Sequence, residues 1–169
     1  PKGVAVEHRQ LMHYLMAAID GYGLSRSDTF AMPQTIAVDT CITCLFTPLV
    51  IGKCLHLLTR ECSLDPDALS AYCRENRIDC LKIAPSHLGV LLDSPGAADL
   101  LPHRHLVLGG EAPSWQLLNR VRELRPRCAV FNEYGPTETT VGVISARLDN
   151  GSIDPKSAIG QKLRELVAG

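Results

Sequence analysis

The chain lacks an excess of positive charge, and it lacks any long apolar run. Its 169 residues carry 17 Lys plus Arg against 18 Asp plus Glu, which gives a formal net charge of −1. This balance provides no basic field for nucleic acid or an anionic membrane, and we expect neither partner. The longest apolar segments, around residues 42–52 and 89–92, are too short to span a bilayer. The first residues also lack the basic and then apolar pattern of a secretion signal.

The cysteines lack the arrangement of a disulfide framework. There are seven of them, an odd number, scattered from residue 41 to residue 128. This usage fits the reducing cytoplasm. Cys41 and Cys44 form a CxxC pattern, but a zinc site needs about four ligands, and no second CxxC or paired His lies at a suitable spacing. We therefore predict buried, unreactive thiols, with a metal or redox protein as the alternative.

The composition is otherwise that of an ordinary globular domain, with 46% hydrophobic and 21% charged residues. Segments with the spacing of strands and of helices alternate along the chain, which predicts an α/β fold: a mainly parallel sheet with helices on both faces. We place this unit in residues 1–148 and an incomplete linker and tail in residues 149–169. The predicted strands cover residues 4–6, 29–32, 54–58, 80–83, 106–108, 129–131 and 141–146, and the predicted helices cover residues 7–19, 41–50, 65–76, 86–92 and 113–124.

Ligands of such sheets gather at the carboxyl ends of the strands, which directs attention to residues 84–86, 109–111 and 132–138. The last of these segments combines a tyrosine, an amide, hydroxyl groups and a carboxylate around a Gly-Pro turn. These groups suit a nucleotide with magnesium. A solvated turn is the alternative interpretation of the same residues.

Residues 132–140 read NEYGPTETT and resemble the NxYGPTE motif of the adenylate-forming ligases, most closely the amino-acid adenylation domains of non-ribosomal peptide synthetases. PKGV at residues 1–4 resembles the end of the family's phosphate loop, and VDT at residues 38–40 resembles its FDxS motif. GGE at residues 109–111 and IG at residues 159–160 resemble the GGE turn and the IGxP element. Five motifs in the family's order make the resemblance specific over nearly the whole chain, and it implies a flavodoxin-like or Rossmann-like subdomain.

The resemblance also implies roles for the residues that match these motifs. Tyr134 is expected to stack on adenine, and Asn132 is expected to bond the exocyclic amine. Thr137 is expected to contact the α-phosphate and Glu138 to hold Mg²⁺, so these two are the expected catalytic residues. The rest of the nucleotide site is expected at Lys2, Gly110, Glu111 and Ala112.

By the same resemblance, Asp39 faces the α-ammonium group of an amino-acid substrate. Taken alone, Asp39 has an alternative interpretation as the N-cap of the predicted helix at residues 41–50. Lys82 and Glu133 are the unusual members of the pocket, since they offer a donor and an acceptor to a short carboxamide, which indicates L-Asn. L-Asp or a β-substituted relative is the second choice. The full set of expected substrate-binding residues is Asp39, Thr40, Thr43, Lys82, Val107, Gly109, Glu133, Val141 and Gly142.

The implied activity is formation of aminoacyl-AMP from an amino acid and ATP with Mg²⁺, followed by transfer to the phosphopantetheine thiol of a carrier protein domain. The implied partners are that carrier domain and the remaining adenylation subdomains. Most of the family's phosphate loop is expected upstream of Pro1, and the ribose-binding Asp and the lid Lys are expected beyond Gly169. We therefore expect no adenylation by the chain alone. The alternatives are a non-catalytic specificity or folding module and an acyl- or aryl-acid ligase of the same superfamily.

Overall fold

The structure, a computed structural model, describes residues 3–148. Six strands form one sheet in the order β2-β1-β3-β4-β5-β6, with β1 to β5 parallel and β6 antiparallel to β5. The predicted α/β fold with a mainly parallel sheet is confirmed. The strands are β1 Thr29–Met32, β2 Cys54–Leu57, β3 Cys80–Ile83, β4 His105–Gly109, β5 Ala129–Tyr134 and β6 Ile144–Arg147.

Seven α-helices and three short 3₁₀ turns connect these strands within residues 3–148. No helix in this range has the length and apolar character that crossing a membrane requires. The helices are α1 His8–Tyr22, α2 Ile42–Ile51, α3 Arg60–Leu64, α4 Pro66–Glu75, α5 Pro85–Leu91, α6 Ala97–Leu100 and α7 Trp115–Leu124, and the 3₁₀ turns are Leu24–Arg26, Asp39–Cys41 and Thr137–Thr139.

Local sequence accounts for several helix boundaries. The Asp65 carboxylate accepts hydrogen bonds from the amides of Asp67 and Ala68 at 2.9 and 3.1 Å, so the predicted N-cap of α4 is confirmed. Gly23 ends α1 and Gly52 ends α2 in the left-handed region, with φ values of 69° and 68°.

The structure differs from the predictions at three places. Residues 4–6 form no strand, because they are exposed and pair with no strand of the described sheet. The alternative of Asp39 as N-cap of α2 is also wrong, because Cys41 occupies that position and Asp39 lies in the preceding 3₁₀ turn. The last predicted strand begins at Ile144 rather than at residue 141, because residues 140 and 141 have positive φ.

The sheet separates two apolar layers. Side chains of β3 and β4 at Leu81, Ile83, Leu106 and Leu108 face one layer, beneath α4 to α7. Alternate side chains of the same strands face the other layer, which α1 and α2 cover. This second layer contains the polar groups described next.

Candidate functional site

Strand alternation brings four of the predicted pocket residues to one face of the sheet. Lys82 is paired with Val107 in the register of β3 and β4, and Gly109 is paired with Glu133 in the register of β4 and β5. Positions 82, 107, 109 and 133 therefore share the face that α1 and α2 cover. The Lys82 and Glu133 side chains are 0% and 3% exposed, so the predicted donor and acceptor meet inside the protein.

Lys82 and Glu133 bind each other. The Lys82 Nζ donates to Glu133 Oε2 and, at 2.8 Å, to Thr43 Oγ1. Its third contact, with the Tyr14 hydroxyl at 3.5 Å, is the longest. A buried charge is tolerated only when it is paired and hydrogen-bonded, and these contacts meet that condition without a ligand.

Two tyrosines of α1 complete the environment of Glu133, and neither was predicted as a site residue. The hydroxyls of Tyr14 and Tyr22 donate to Glu133 Oε1 at 2.8 and 2.7 Å. Burial, and next the charge of Glu133, raise the pKa of both phenols, so they remain donors across the physiological range. Tyr14 also lies 2.5 Å from Thr43 Oγ1. We call Tyr14, Tyr22, Thr43, Lys82 and Glu133 the buried polar network.

The two glycines predicted in the pocket make room for this network. A methyl group at Gly142 would lie 2.5 Å from Glu133 Cδ, and one at Gly109 would lie 3.1 Å from Lys82 Cε. A side chain at Gly142 would require Glu133 to move, and one at Gly109 would press against Lys82, because the charged residues lie directly against the backbone. Val107 and Val141 are buried in the apolar layer around the network.

Asp39 lies in the 3₁₀ turn before α2, on the same side of the sheet. Its Oδ2 atom is buried and has no hydrogen-bond partner within residues 3–148. A buried carboxylate oxygen without a partner is costly in a folded protein, so this atom is a candidate for ligand binding. Thr40, next in the turn, is half-buried.

The CxxC cysteines lie at the beginning of α2. Among the described residues, no group of three or more His, Cys, Asp or Glu could hold a metal ion. Cys41 and Cys44 are buried, and burial is the main cause that raises the pKa of Cys41. Cys44 interacts with Cys80, and this interaction lowers the pKa of Cys44 while it raises, together with burial, the pKa of Cys80. The raised pKa of Cys41 disfavours a reactive thiolate there, but the pKa of Cys44 is lowered and Cys54 is exposed, so the prediction of buried, unreactive thiols is not confirmed for every cysteine.

The predicted adenine side of the site lies at the carboxyl ends of β4 and β5. The Asn132 Nδ2 donates to the carbonyl oxygens of Leu108 and Glu111 at 3.1 and 3.3 Å, which fixes the loop after β4. The Glu111 carboxylate accepts from the amide and hydroxyl of Ser86 at 3.1 and 2.8 Å, so it ties this loop to the start of α5. Gly110, with φ of 84°, supplies the left-handed turn between them.

The loop after β5 presents its polar groups to solvent. Tyr134 is 53% exposed, which leaves ring surface open. Thr137 and Glu138 are exposed in the 3₁₀ turn that follows Pro136, and Ala112 is exposed on the neighbouring loop. Lys2 and residues 159–160 lie outside the described residues, as does the predicted tail 149–169.

The same loop folds back onto the buried polar network. Thr140 and Val141 have φ values of 66° and 68°, which is strained for β-branched residues. A methyl group at Gly135 would lie 2.7 Å from both Gly142 Cα and the Val141 carbonyl oxygen. The exposed Thr137–Thr139 turn therefore lies only a few residues along the chain from Glu133, in a loop whose two sides pack closely against each other.

Comparisons with known proteins agree with this arrangement. A family model described as AMP-binding enzyme matches residues 1–168. The chain is 31% identical to bacitracin synthase 3 of Bacillus licheniformis over 91% of its length, and 31% identical to tyrocidine synthase 3 of Brevibacillus parabrevis over 88% of its length. It spans 2% of the length of each of those two relatives.

Solved structures give the same result. The chain is similar to holo-AB3403, a four-domain non-ribosomal peptide synthetase bound to AMP and glycine, with 31% identity and a TM-score of 0.76 over 92% of this chain and 11% of that one. The Vibrio cholerae adenylation domain AlmE, in complex with glycyl-adenosine-5'-phosphate, shares the fold with a TM-score of 0.75 at 20% identity, over 89% of this chain and 28% of that one. The chain therefore belongs to the AMP-binding enzyme family of adenylate-forming ligases, as part of an adenylation domain of the non-ribosomal peptide synthetase type.

Proposed function

We propose that this chain is the central part of a longer adenylation enzyme that activates an amino acid with ATP. An oxygen of the substrate carboxylate attacks the α-phosphorus, the bond from that phosphorus to the bridging oxygen of the β-phosphate breaks, and pyrophosphate leaves with the electron pair. The observation that carries the proposal is the position of the buried polar network and the Asp39 carboxylate on one side of the sheet, next to the loops that carry Asn132 and Tyr134.

The nucleotide would lie across the loops after β4 and β5. The open ring of Tyr134 would stack on adenine, with Gly110, Glu111 and Ala112 on its other side. Because Nδ2 of Asn132 is engaged by two carbonyl groups, its amide oxygen is the atom that would accept from the adenine amine.

The phosphates would be held at the turn that contains Thr137 and Glu138, both exposed. The Thr137 hydroxyl would donate to the α-phosphate, and Lys2 would contribute from the phosphate loop. One carboxylate with phosphate oxygens is the donor set that Mg²⁺ prefers, so Glu138 fits that ion. Bound Mg²⁺ would neutralise charge on the phosphates.

Asp39 supports an amino acid as the substrate. A substrate ammonium group would satisfy the buried Oδ2, which has no partner within residues 3–148. A fatty or aryl acid would leave that oxygen unpaired at a cost of about 1–3 kcal/mol. This distinction favours amino-acid activation over the acyl- or aryl-acid alternative.

The buried polar network supports a small, neutral and polar substrate side chain, for which L-Asn is our first candidate. The charges of Lys82 and Glu133 already cancel, so a charged side chain would leave net charge in a buried site. The Lys82 N–H that points to Tyr14 is the most weakly engaged, at 3.5 Å, and could turn to a carboxamide oxygen. L-Asp or a β-substituted relative is the second candidate, since a substrate carboxylate there would meet the like charge of Glu133.

We further propose that a carrier protein domain receives the aminoacyl group on its phosphopantetheine thiol, and that the enzyme works in the cytoplasm. The seven cysteines are odd in number and scattered along the sequence rather than arranged as a disulfide framework, which suits a reducing compartment. Because the chain spans only 2% of each of those two relatives, we expect the isolated chain to lack exchange activity. Exchange by the isolated chain would contradict that expectation.

Amino-acid-dependent ATP–pyrophosphate exchange by the longer adenylation protein that carries these residues tests the substrate. We expect Asn to give the highest kcat/KM in a panel that includes Asp, β-hydroxy-Asn, Leu and Phe. Glu133→Gln removes the like charge and should shift the Asp to Asn ratio toward Asp by about tenfold, equivalent to about 1.4 kcal/mol.

Glu123→Gln is the matched control, because Glu123 is an exposed carboxylate on α7. It should leave the Asp to Asn ratio unchanged. A wild-type preference for Leu or Phe would contradict the substrate proposal, and so would an equal shift in both variants.

A further inference from the structure

Five arginines line one recess at the edge of the sheet where the parallel strands begin. The recess has a volume of about 470 Å³. It lies at the opposite edge from the loops proposed to hold the nucleotide. We call it the arginine recess, and its arginines are Arg26, Arg77, Arg104, Arg127 and Arg147.

The arginines come from five separate segments. Arg26 precedes β1, Arg77 precedes β3, Arg104 precedes β4 and Arg127 precedes β5. Arg147 is the last residue of β6, which is antiparallel and so ends at the same edge. The sheet topology therefore gathers five guanidinium groups that are far apart in the sequence.

The positive charge of the recess is only partly compensated. Among the described residues that line the recess, Asp79 is the one carboxylate, and its oxygens accept from the Asp28 amide at 2.9 Å and contact Arg104 Nε at 3.3 Å. Within residues 3–148, neither Arg77 nor Arg127 forms an ion pair with a carboxylate. The chain as a whole has a formal net charge of −1, so this concentration of arginines is local.

Two histidines of the recess add hydrogen-bonding groups without adding charge. Burial and then the charges of Arg26 and Arg104 lower the pKa of His105 to about 4, and burial and then Arg125 lower the pKa of His103. His105 Nδ1 is hydrogen-bonded to Ser27 Oγ at 2.8 Å. Burial is the largest cause of both lowered pKa values, and nearby arginine charges act in the same direction.

Helix ends explain part of this arrangement. The carboxyl ends of α1, α4 and α7 lie at the same edge, and a helix carboxyl end attracts cations. This attraction accounts for Arg26, Arg77 and Arg127, which follow those helices. It does not account for Arg147, which ends a strand and lies with its guanidinium 5.8 Å from the Phe131 ring.

We propose that the arginine recess binds a compact anion of the phosphate class that carries at least two charges, such as pyrophosphate or a short polyphosphate. Guanidinium groups match phosphate oxygens in paired hydrogen bonds. Arginines that surround one recess suit a compact ligand, whereas an extended acidic peptide would suit a linear row. This second site is separate from the nucleotide site and does not depend on the proposed function.

Binding of inorganic pyrophosphate to the 169-residue chain, without Mg²⁺, tests the proposal. Calorimetry should show saturable binding that weakens as salt rises. NMR should show ring resonances of His103 and His105 that shift during the titration. Arg77→Gln with Arg127→Gln should weaken binding by at least about tenfold, because each guanidinium contributes a charge-assisted pair.

Arg60→Gln with Arg120→Gln is the matched control, since it removes two exposed arginines from outside the recess. It should leave the dissociation constant unchanged, as should Thr137→Ala in the proposed nucleotide site. The proposal is overturned by an equal loss in the two double variants, by loss in Thr137→Ala, or by no binding at millimolar pyrophosphate. It is also overturned if a glutamate decapeptide binds and pyrophosphate does not.

Discussion

Replacement of Lys82 by Met tests whether the Lys82–Glu133 ion pair, on the sheet face that α1 and α2 cover, is shielded from water. The side chains of Lys82 and Glu133 are 0% and 3% exposed, so in the described part of the chain Lys82→Met leaves a buried carboxylate with two tyrosine hydroxyls as its remaining partners. Breaking a buried pair by removal of one partner costs about 3–5 kcal/mol. We expect Lys82→Met to lower the free energy of unfolding of the 169-residue chain by that amount, measured by urea denaturation at pH 7.

Two further variants make this test specific. Lys82→Met combined with Glu133→Gln removes both charges, and it should recover a large part of the lost stability because no charge remains unpaired. Lys53→Met is the control, since Lys53 pairs with Asp28 at 2.6 Å but their side chains are 32% and 69% exposed. It should cost about 1 kcal/mol or less. If Lys82→Met costs no more than Lys53→Met, the pair is hydrated and our reasoning is refuted.

Two other predictions concern the glycines and a histidine. Gly142→Ala should destabilise the chain by about 1–3 kcal/mol, because its methyl group would lie 2.5 Å from Glu133 Cδ. The control is Gly89→Ala inside α5, where a methyl group would have nothing within 4 Å, so this variant should be neutral or stabilising. Urea denaturation measures both changes in the free energy of unfolding, and equal effects would contradict the close contact at Gly142. The His105 pKa of about 4 lies below its unfolded value near 6.5, so the unfolded chain binds the extra proton and stability should fall by about 2 kcal/mol from pH 6.5 to 4. His105→Gln should reduce the dependence of stability on pH between pH 6.5 and 4, measured by thermal melts. An unchanged pH dependence would contradict the lowered pKa of His105.

Much of the fold could be predicted from the sequence, because apolar runs and turn residues mark the central strands. The predictions for β1 and β3 match the structure at both ends. Short helices such as Arg60–Leu64 and Ala97–Leu100 were not predicted, since four or five residues cannot show a helical period. Residues 4–6 have the composition of a strand, but strand formation also needs a neighbour to pair with.

The site was less predictable than the fold. The motifs indicated Lys82 and Glu133, and the strand register does place them on one face. Their mutual pairing could not be read from the motifs, because it depends on how α1 packs over the sheet. Tyr14 and Tyr22 gave a weak signal, since phenols on the buried face of a helix require partners, but only the tertiary structure identifies Glu133 as that partner.

The role of Asp39 in holding the substrate ammonium group is the central claim, and one measurement tests it directly. In the longer adenylation protein, ATP–pyrophosphate exchange is compared for Asn and for its α-hydroxy analogue, with wild type and Asp39→Ala. We predict that Asp39→Ala lowers kcat/KM for Asn by about tenfold to a hundredfold, leaves the KM for ATP unchanged, and removes most of the preference for Asn over the analogue. Full Asn activity and an intact preference in Asp39→Ala would contradict the account.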